Sequence, residues 1–130
     1  MKTPDIVVAT SAYGPEFVQQ RGQDGCIPII ANAGARGIEI RRELFSTDQF
    51  ELDNLSFAIA QAGLFSVYSA PVALFDSRGN VNQRELPTIL AEASRLNARF
   101  LKLTLGSLQV RILAIRARQL PQFHPSKALG

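Results

Sequence analysis

The sequence contains one cysteine, one histidine and no tryptophan in 130 residues. Each shortage excludes something. A lone Cys26 cannot close an internal disulfide, and a single His124 leaves neither a CxxC nor an HxxxH clip for a metal. No stretch of about eighteen apolar residues is present to cross a bilayer. The opening Met1-Lys2-Thr3-Pro4-Asp5 is not followed by the apolar core and small-residue cleavage site of a signal peptide. The expected address is the cytoplasm, without a membrane partner. P-loop, GxGxxG, GxSxG and HExxH words are missing as well, so the nucleotide, hydrolase and zinc-protease readings lack their minimum parts.

What is present suits a soluble globular chain of one domain: 46% of the residues are hydrophobic and 19% charged. The formal net charge of +3 is unevenly spread. Residues 1 to 105 carry ten Lys/Arg and all eleven acids, whereas residues 106 to 130 carry Arg111, Arg116, Arg118 and Lys127 with no acid. The basic character belongs to the tail, so the body gives no reason to expect a nucleic-acid partner.

Four β-rich runs recur about every thirty residues: Ile6 to Thr10, Gly37 to Arg41, Leu64 to Ser69 and Arg99 to Leu105. Between them, Pro15 to Ala33, Glu51 to Ala62 and Arg84 to Asn97 show helical spacing, with Leu86, Ile89, Leu90, Ala93 and Leu96 forming one apolar stripe. The helical segments end in Ala33-Gly34-Ala35, Ala62-Gly63-Leu64 and Asn97-Ala98-Arg99. In each, Gly or Asn can take a left-handed cap before the next strand. The pattern is an internal repeat of βα units.

Two parallel architectures fit such a repeat, an open doubly wound sheet and a closed barrel. A sheet covered on both faces favours uninterrupted apolar strands. Here Ile38-Glu39-Ile40-Arg41 and Leu101-Lys102-Leu103-Thr104 alternate. The apolar side chains are expected to face helices and the charged ones a lumen. An edge strand with one wet face gives the same alternation in a single strand; its occurrence in two strands favours the barrel.

The segment Ala33-Gly34-Ala35-Arg36-Gly37-Ile38-Glu39-Ile40-Arg41-Arg42-Glu43-Leu44-Phe45 resembles the second-strand region of the sugar phosphate isomerase/epimerase family, whose fold is the xylose isomerase-like TIM barrel. Ser11-Ala12-Tyr13-Gly14, Tyr68-Ser69-Ala70-Pro71 and Leu101-Lys102-Leu103-Thr104-Leu105-Gly106 support it in the expected order. The resemblance implies an α/β fold in which residues 1–106 form the first half of a (β/α)8 TIM barrel of about four βα units, followed by a divergent basic tail over 107–130. It also implies metal-assisted isomerisation or epimerisation of a sugar or sugar phosphate in intact relatives. Their divalent-metal ligands look to come from strands five to eight, and no residue here matches those positions. No cofactor, metal ligand or catalytic residue is therefore expected in this chain, which should be inactive alone.

The candidate substrate-binding residues are Glu39, Arg41, Lys102 and Tyr68. Glu39 and Arg41 lie two apart on one strand face, suited either to hydrogen-bonding a polyol or to a structural ion pair. Lys102 can bind an anionic oxygen or pair with Glu39. Arg42 offers a phosphate contact or a loop salt bridge, with Glu43 beside it. Tyr68 and Tyr13 can stack on a sugar or serve packing, and Cys26 reads as buried and inert. Asp76 to Asn80 reads as a turn.

The tail departs from the family pattern. Leu108, Ile112 and Ile115 fit one face of a short helix that Pro121 would end. An acid-free, arginine-rich stretch after an abrupt loss of resemblance is what a frameshift would produce; the rival is a basic tail that recruits a partner to a non-catalytic module. In either case, a half-barrel exposes two sheet edges, and self-association into a homo-oligomer is the expectation.

Overall fold

The computed structural model describes residues 3–45 and 51–106. The basic tail over 107–130, with its expected helix and His124, lies outside the described residues.

Four strands, β1 (Val7–Ala9), β2 (Gly37–Arg41), β3 (Phe65–Phe75) and β4 (Phe100–Gly106), alternate with helices α1 (Pro15–Arg21), α2 (Ile27–Asn32), α3 (Leu52–Gln61) and α4 (Leu86–Leu96). The strands form one sheet in the order β1-β2-β3-β4, and all three pairings are parallel. Val8 faces Ile38, Ile38 faces Ser66 and Tyr68 faces Leu101 across the sheet. Strand order that advances in one direction is not doubly wound, because no crossover reverses. Right-handed βαβ crossovers then place every connecting helix on the same face.

Burial agrees with that geometry. Ile38, Ile40 and Tyr68 are fully buried and belong to one core cluster with Ile30, Leu52, Ile59, Leu86, Ile89 and Leu96 of the helices. Leu101 and Leu103 pack against the same cluster. Along α4, Leu86, Ile89, Ala93 and Leu96 are buried at helical spacing while Leu90 is only partly so. Each large side chain so buried contributes about 1.5–3 kcal/mol of hydrophobic free energy. The opposite face carries Val7, Glu39, Arg41, Phe65, Val67, Phe100 and Lys102, and its apolar members stand outside the core cluster.

The helix stops are the same device three times. Gly34 and Gly63 have φ of 86° and 75°, and Asn97 sits at φ 58°, ψ 42°. Each cap N–H bonds a carbonyl three residues back, to Ala31, Ala60 and Ser94, and the next residue bonds one five back, to Ile30, Ile59 and Ala93. This paired closure satisfies the last free carbonyls and turns the chain toward the following strand.

Two expectations are corrected. Pro15 to Ala33 is not one helix: Gly22, at φ 73°, ends α1, and a 3-10 turn over Asp24–Cys26 re-aims the chain before α2. Strand β3 also does not stop at Ser69 but runs to Phe75. Ser69 faces Lys102 and Ala73 faces Thr104, so β3 accommodates two additional residues in a bulge where the proline's missing N–H costs no ladder bond. The turn at Asp76 to Asn80 is as expected; the Asp76 carboxylate accepts the backbone N–H of Arg78 and Asn80.

A methyl added at Gly37 would meet the Phe65 ring at 2.7 Å, whereas one at Gly63 meets nothing within 4 Å. Gly37→Ala is therefore expected to lose about 1–3 kcal/mol through overpacking, and Gly63→Ala about 1 kcal/mol through its positive φ alone. Urea denaturation of both variants checks this; a Gly37→Ala protein as stable as the parent would show that Phe65 is not seated over that glycine.

Candidate functional site

Because Ile38 and Ile40 are committed to the core, Glu39 and Arg41 emerge on the uncovered face of β2, near the C-terminal ends of the strands. Lys102 joins them from β4, two strands away, since Arg41, Ser69 and Lys102 stand side by side. The Glu39 carboxylate, with its side chain 12% exposed, accepts from Arg41 Nη1 at 3.3 Å and from Lys102 Nζ at 3.4 Å. Arg41 also donates from Nε to Glu43 Oε1 at 2.7 Å. The result is a row of alternating charge, Glu43, Arg41, Glu39, Lys102, in which the contact to Glu43 is short and the two contacts to Glu39 are long. Long contacts of this kind leave donor capacity that a ligand oxygen can take up.

Arg41 is held by its backbone as well. Strand β1 ends at Ala9, so nothing of its main chain reaches Arg41. The Gln23 side chain fills that place: its Oε1 accepts the Arg41 N–H at 2.8 Å, and its Nε2 donates to the Arg41 carbonyl at 2.8 Å. Thr10 Oγ1 donates to the same Oε1 at 2.7 Å. A buried amide thus stands in for a missing residue of β1, satisfying main-chain groups that would otherwise be unpaired. Gln23 carried no signal in the sequence, because two of its three bonds go to backbone groups and the third to a threonine thirteen residues away.

Tyr68 is placed elsewhere. It pairs with Ile40, so it points with Ile40 into the helix layer, and its hydroxyl donates to Glu92 Oε2 on α4 at 2.7 Å. The structure brings Glu39, Arg41 and Lys102 together and separates Tyr68 from them by the thickness of the sheet. Glu92 also receives Arg42, with Nε at 2.8 Å and Nη2 at 3.1 Å. Arg42 therefore makes a salt bridge to a helix, in a bidentate fork, a stronger geometry than a single contact. Burial, followed by the hydrogen bond to Glu92, pushes the Tyr68 phenol well above its ordinary value of 10.0. Glu92 was detectable only as an acid bordering the apolar stripe of α4.

The remaining candidates have structural surroundings. Tyr13 lies against Phe17 with ring centroids 5.7 Å apart. Cys26 is fully buried, and burial, with a lesser contribution from Asp24, raises its thiol above the usual range; it has the environment of an inert thiol. Among the described residues, no three His, Cys, Asp or Glu side chains converge to hold a metal ion. Glu39 and Glu43 are already held by Arg41 and Lys102, so this donor set does not fit a divalent ion. Two clefts of about 170 and 340 Å³ open at the N-terminal ends of the strands, around Arg36, Phe65 and Arg99 and between α3 and α4, away from Glu39. No helix among the described residues is long and apolar enough to cross a membrane.

No protein-family model matches this chain, and no curated protein matches it either.

Gln23→Leu removes both bonds to Arg41 and strands the Thr10 hydroxyl, and a loss of about 2–4 kcal/mol is expected. Equilibrium unfolding measures it; a loss under about 0.5 kcal/mol, the range of ordinary surface substitutions, would contradict the clamp. The raised Tyr68 phenol has a definite sign for pH. Between the unfolded value near 10.0 and its higher folded value, the unfolded chain has lost that proton and the native chain keeps it, so stability falls as pH rises through this window. Tyr68→Phe should be less stable at neutral pH and lose this part of the alkaline decline. Unfolding curves at neutral and alkaline pH for both proteins would reveal an unchanged slope if the argument were wrong.

Proposed function

We propose that residues 1–106 are the first half of a (β/α)8 barrel of the sugar phosphate isomerase/epimerase type, cytoplasmic and inactive alone, with Glu39, Arg41 and Lys102 forming part of its sugar pocket. The observation that carries this reading is their convergence on the uncovered sheet face, toward the strand ends where barrel enzymes place their chemistry. A polyol presents adjacent hydroxyls that donate to Glu39 and accept from Arg41, exchanging for the two long contacts now made within the cluster. Lys102, with its side chain 62% exposed, is free to turn toward a carbonyl or phosphate oxygen. These residues bind and orient; the metal-assisted proton transfer of such a reaction belongs to the half of the barrel that this segment does not contain.

A second reading, a non-catalytic module acting through its sheet edges, draws on the exposed apolar residues of β1 and β4, Val7 and Phe100 among them. The two differ in what they require of Glu39 and Lys102, which a purely structural module needs only as an ion pair worth about 0–1 kcal/mol.

Titration of the labelled chain with a ketopentose phosphate, followed by NMR, tests the pocket. Millimolar binding is expected, as suits half a site, with shifts centred on Glu39, Arg41 and Lys102. Glu39→Gln and Lys102→Ala should each weaken it about tenfold, and Tyr68→Phe should leave it unchanged. Shifts confined to the cleft at Arg36 and Arg99, or none at all, would remove the pocket. Descent is tested by translating the coding DNA beyond the Gly106 codon in all three frames: further βα units bearing Glu, Asp and His at strand ends are expected, and none in any frame overturns it.

A further inference from the structure

We propose that the two edges of this sheet, left unpaired among the described residues, are the halves of one interface, and that a second copy of the chain closes an eight-stranded barrel in which β4 of each copy lies beside β1 of the other. This rests on the half-barrel reading above and names the partner that completes it.

The described residues include six large apolar side chains that are well exposed, and four of them, Ile6, Val7, Phe100 and Leu105, sit on or next to the two edge strands. Their exposures run from 38% for Val7 to 61% for Ile6. The outer helix layer contributes only Ile29 and Phe57. Exposed apolar surface concentrated on unpaired strands marks an edge made to be covered. Val7 and Phe100 both belong to the uncovered face, so covering the edges brings them toward the interior of the same assembly.

The charges on the two edges are opposite. At the β1 edge Asp5 is exposed, with a loose 3.9 Å contact to Arg36. At the β4 edge stand Arg99, whose guanidinium stacks on the Phe65 ring at 4.0 Å, and Lys102. Asp5 and Arg99 both line the cleft at the N-terminal ends of the strands, so they lie at the same height on the sheet. Apposing β4 to β1 of a second copy sets cation against anion, whereas β1 on β1 or β4 on β4 sets like against like. The inner row is balanced, two acids against two cations, so a second copy meets no net repulsion across the lumen.

Strand count and direction select two copies. Four parallel strands in sequential order, repeated by a two-fold axis along the barrel, give eight parallel strands in which both edges of both copies are paired. A single added strand or helix would cover one edge and leave the other.

Sedimentation equilibrium of the full chain should give the mass of two copies at micromolar concentration. Asp5→Arg alone and Arg99→Asp alone should each weaken association about tenfold, and the two changes combined should restore it, which separates an interface effect from misfolding. In a Cys26→Ala background, a mixture of Val7→Cys and Phe100→Cys chains should form a disulfide between position 7 of one copy and position 100 of the other. Single-copy mass at all concentrations, or disulfides that join only position 7 to position 7, would overturn the closure. If the mass is single while a ketopentose phosphate still shifts Glu39 and Lys102, the closure falls and the pocket stands. Two-copy mass with the mixed disulfide but without sugar binding supports the closure and removes the pocket.

Discussion

The alternation of β2 is the constraint on which the site depends. A strand that spends Ile38 and Ile40 on the core has no choice about Glu39 and Arg41: they must stand on the other side. Because the strand order never reverses, that other side receives none of the described helices, and a carboxylate with two cations collects there. The hydrophobic effect thus places the charges without acting on them. Moving β2 by one residue would put Glu39 into the helix layer, against Ile30 and Leu52 and their neighbours, where an ionised carboxylate is prohibitively costly.

Consecutive arginines show how firmly the end of β2 is held. Arg41 reaches across the uncovered face to Glu39 and Glu43, while Arg42 turns the opposite way and forks onto Glu92. One helix residue, Glu92, therefore joins the β2 corner to the β3 tyrosine through the core layer. The two arginines divide the work: one serves the open face, and the other fastens the strand end to the helices behind it. Adjacent in the sequence, Arg41 and Arg42 thus reach different acids, Glu39 and Glu43 for the one and Glu92 for the other.

Much of this was legible in the sequence where a local rule has one outcome. Gly34, Gly63 and Asn97 announce left-handed stops because few other residues adopt that conformation, and the alternation at Glu39 and Lys102 fixes which face they share. The pairing of Glu39 with Arg41 and Lys102 was one of two readings open for each. What was not legible depended on partners distant in the chain. The phase of Tyr68 was undetermined in a strand whose neighbours Val67 and Ser69 suit either face, so its turn into the helix layer came only with its register against Ile40. The run read as a strand only to Ser69, whereas β3 continues past Pro71 to Phe75 through a bulge in which the proline needs no donor. The break at Gly22 hid inside an apolar rhythm that continues across it through Ile27 and Ile30.

The Gln23 amide has a bearing on how the chain finds its alignment. A backbone ladder is periodic, so β1 can slide by two residues against β2 and recover equivalent bonds with the same faces inward. A side-chain amide is not periodic. Sliding β1 would carry Thr10 away from Gln23, while Gln23 itself stays fastened to Arg41 by two bonds. The amide acts as a key in a lock with one seat: it distinguishes the correct alignment of a three-residue strand, too short to record it in its own hydrogen bonds, from the shifted one beside it.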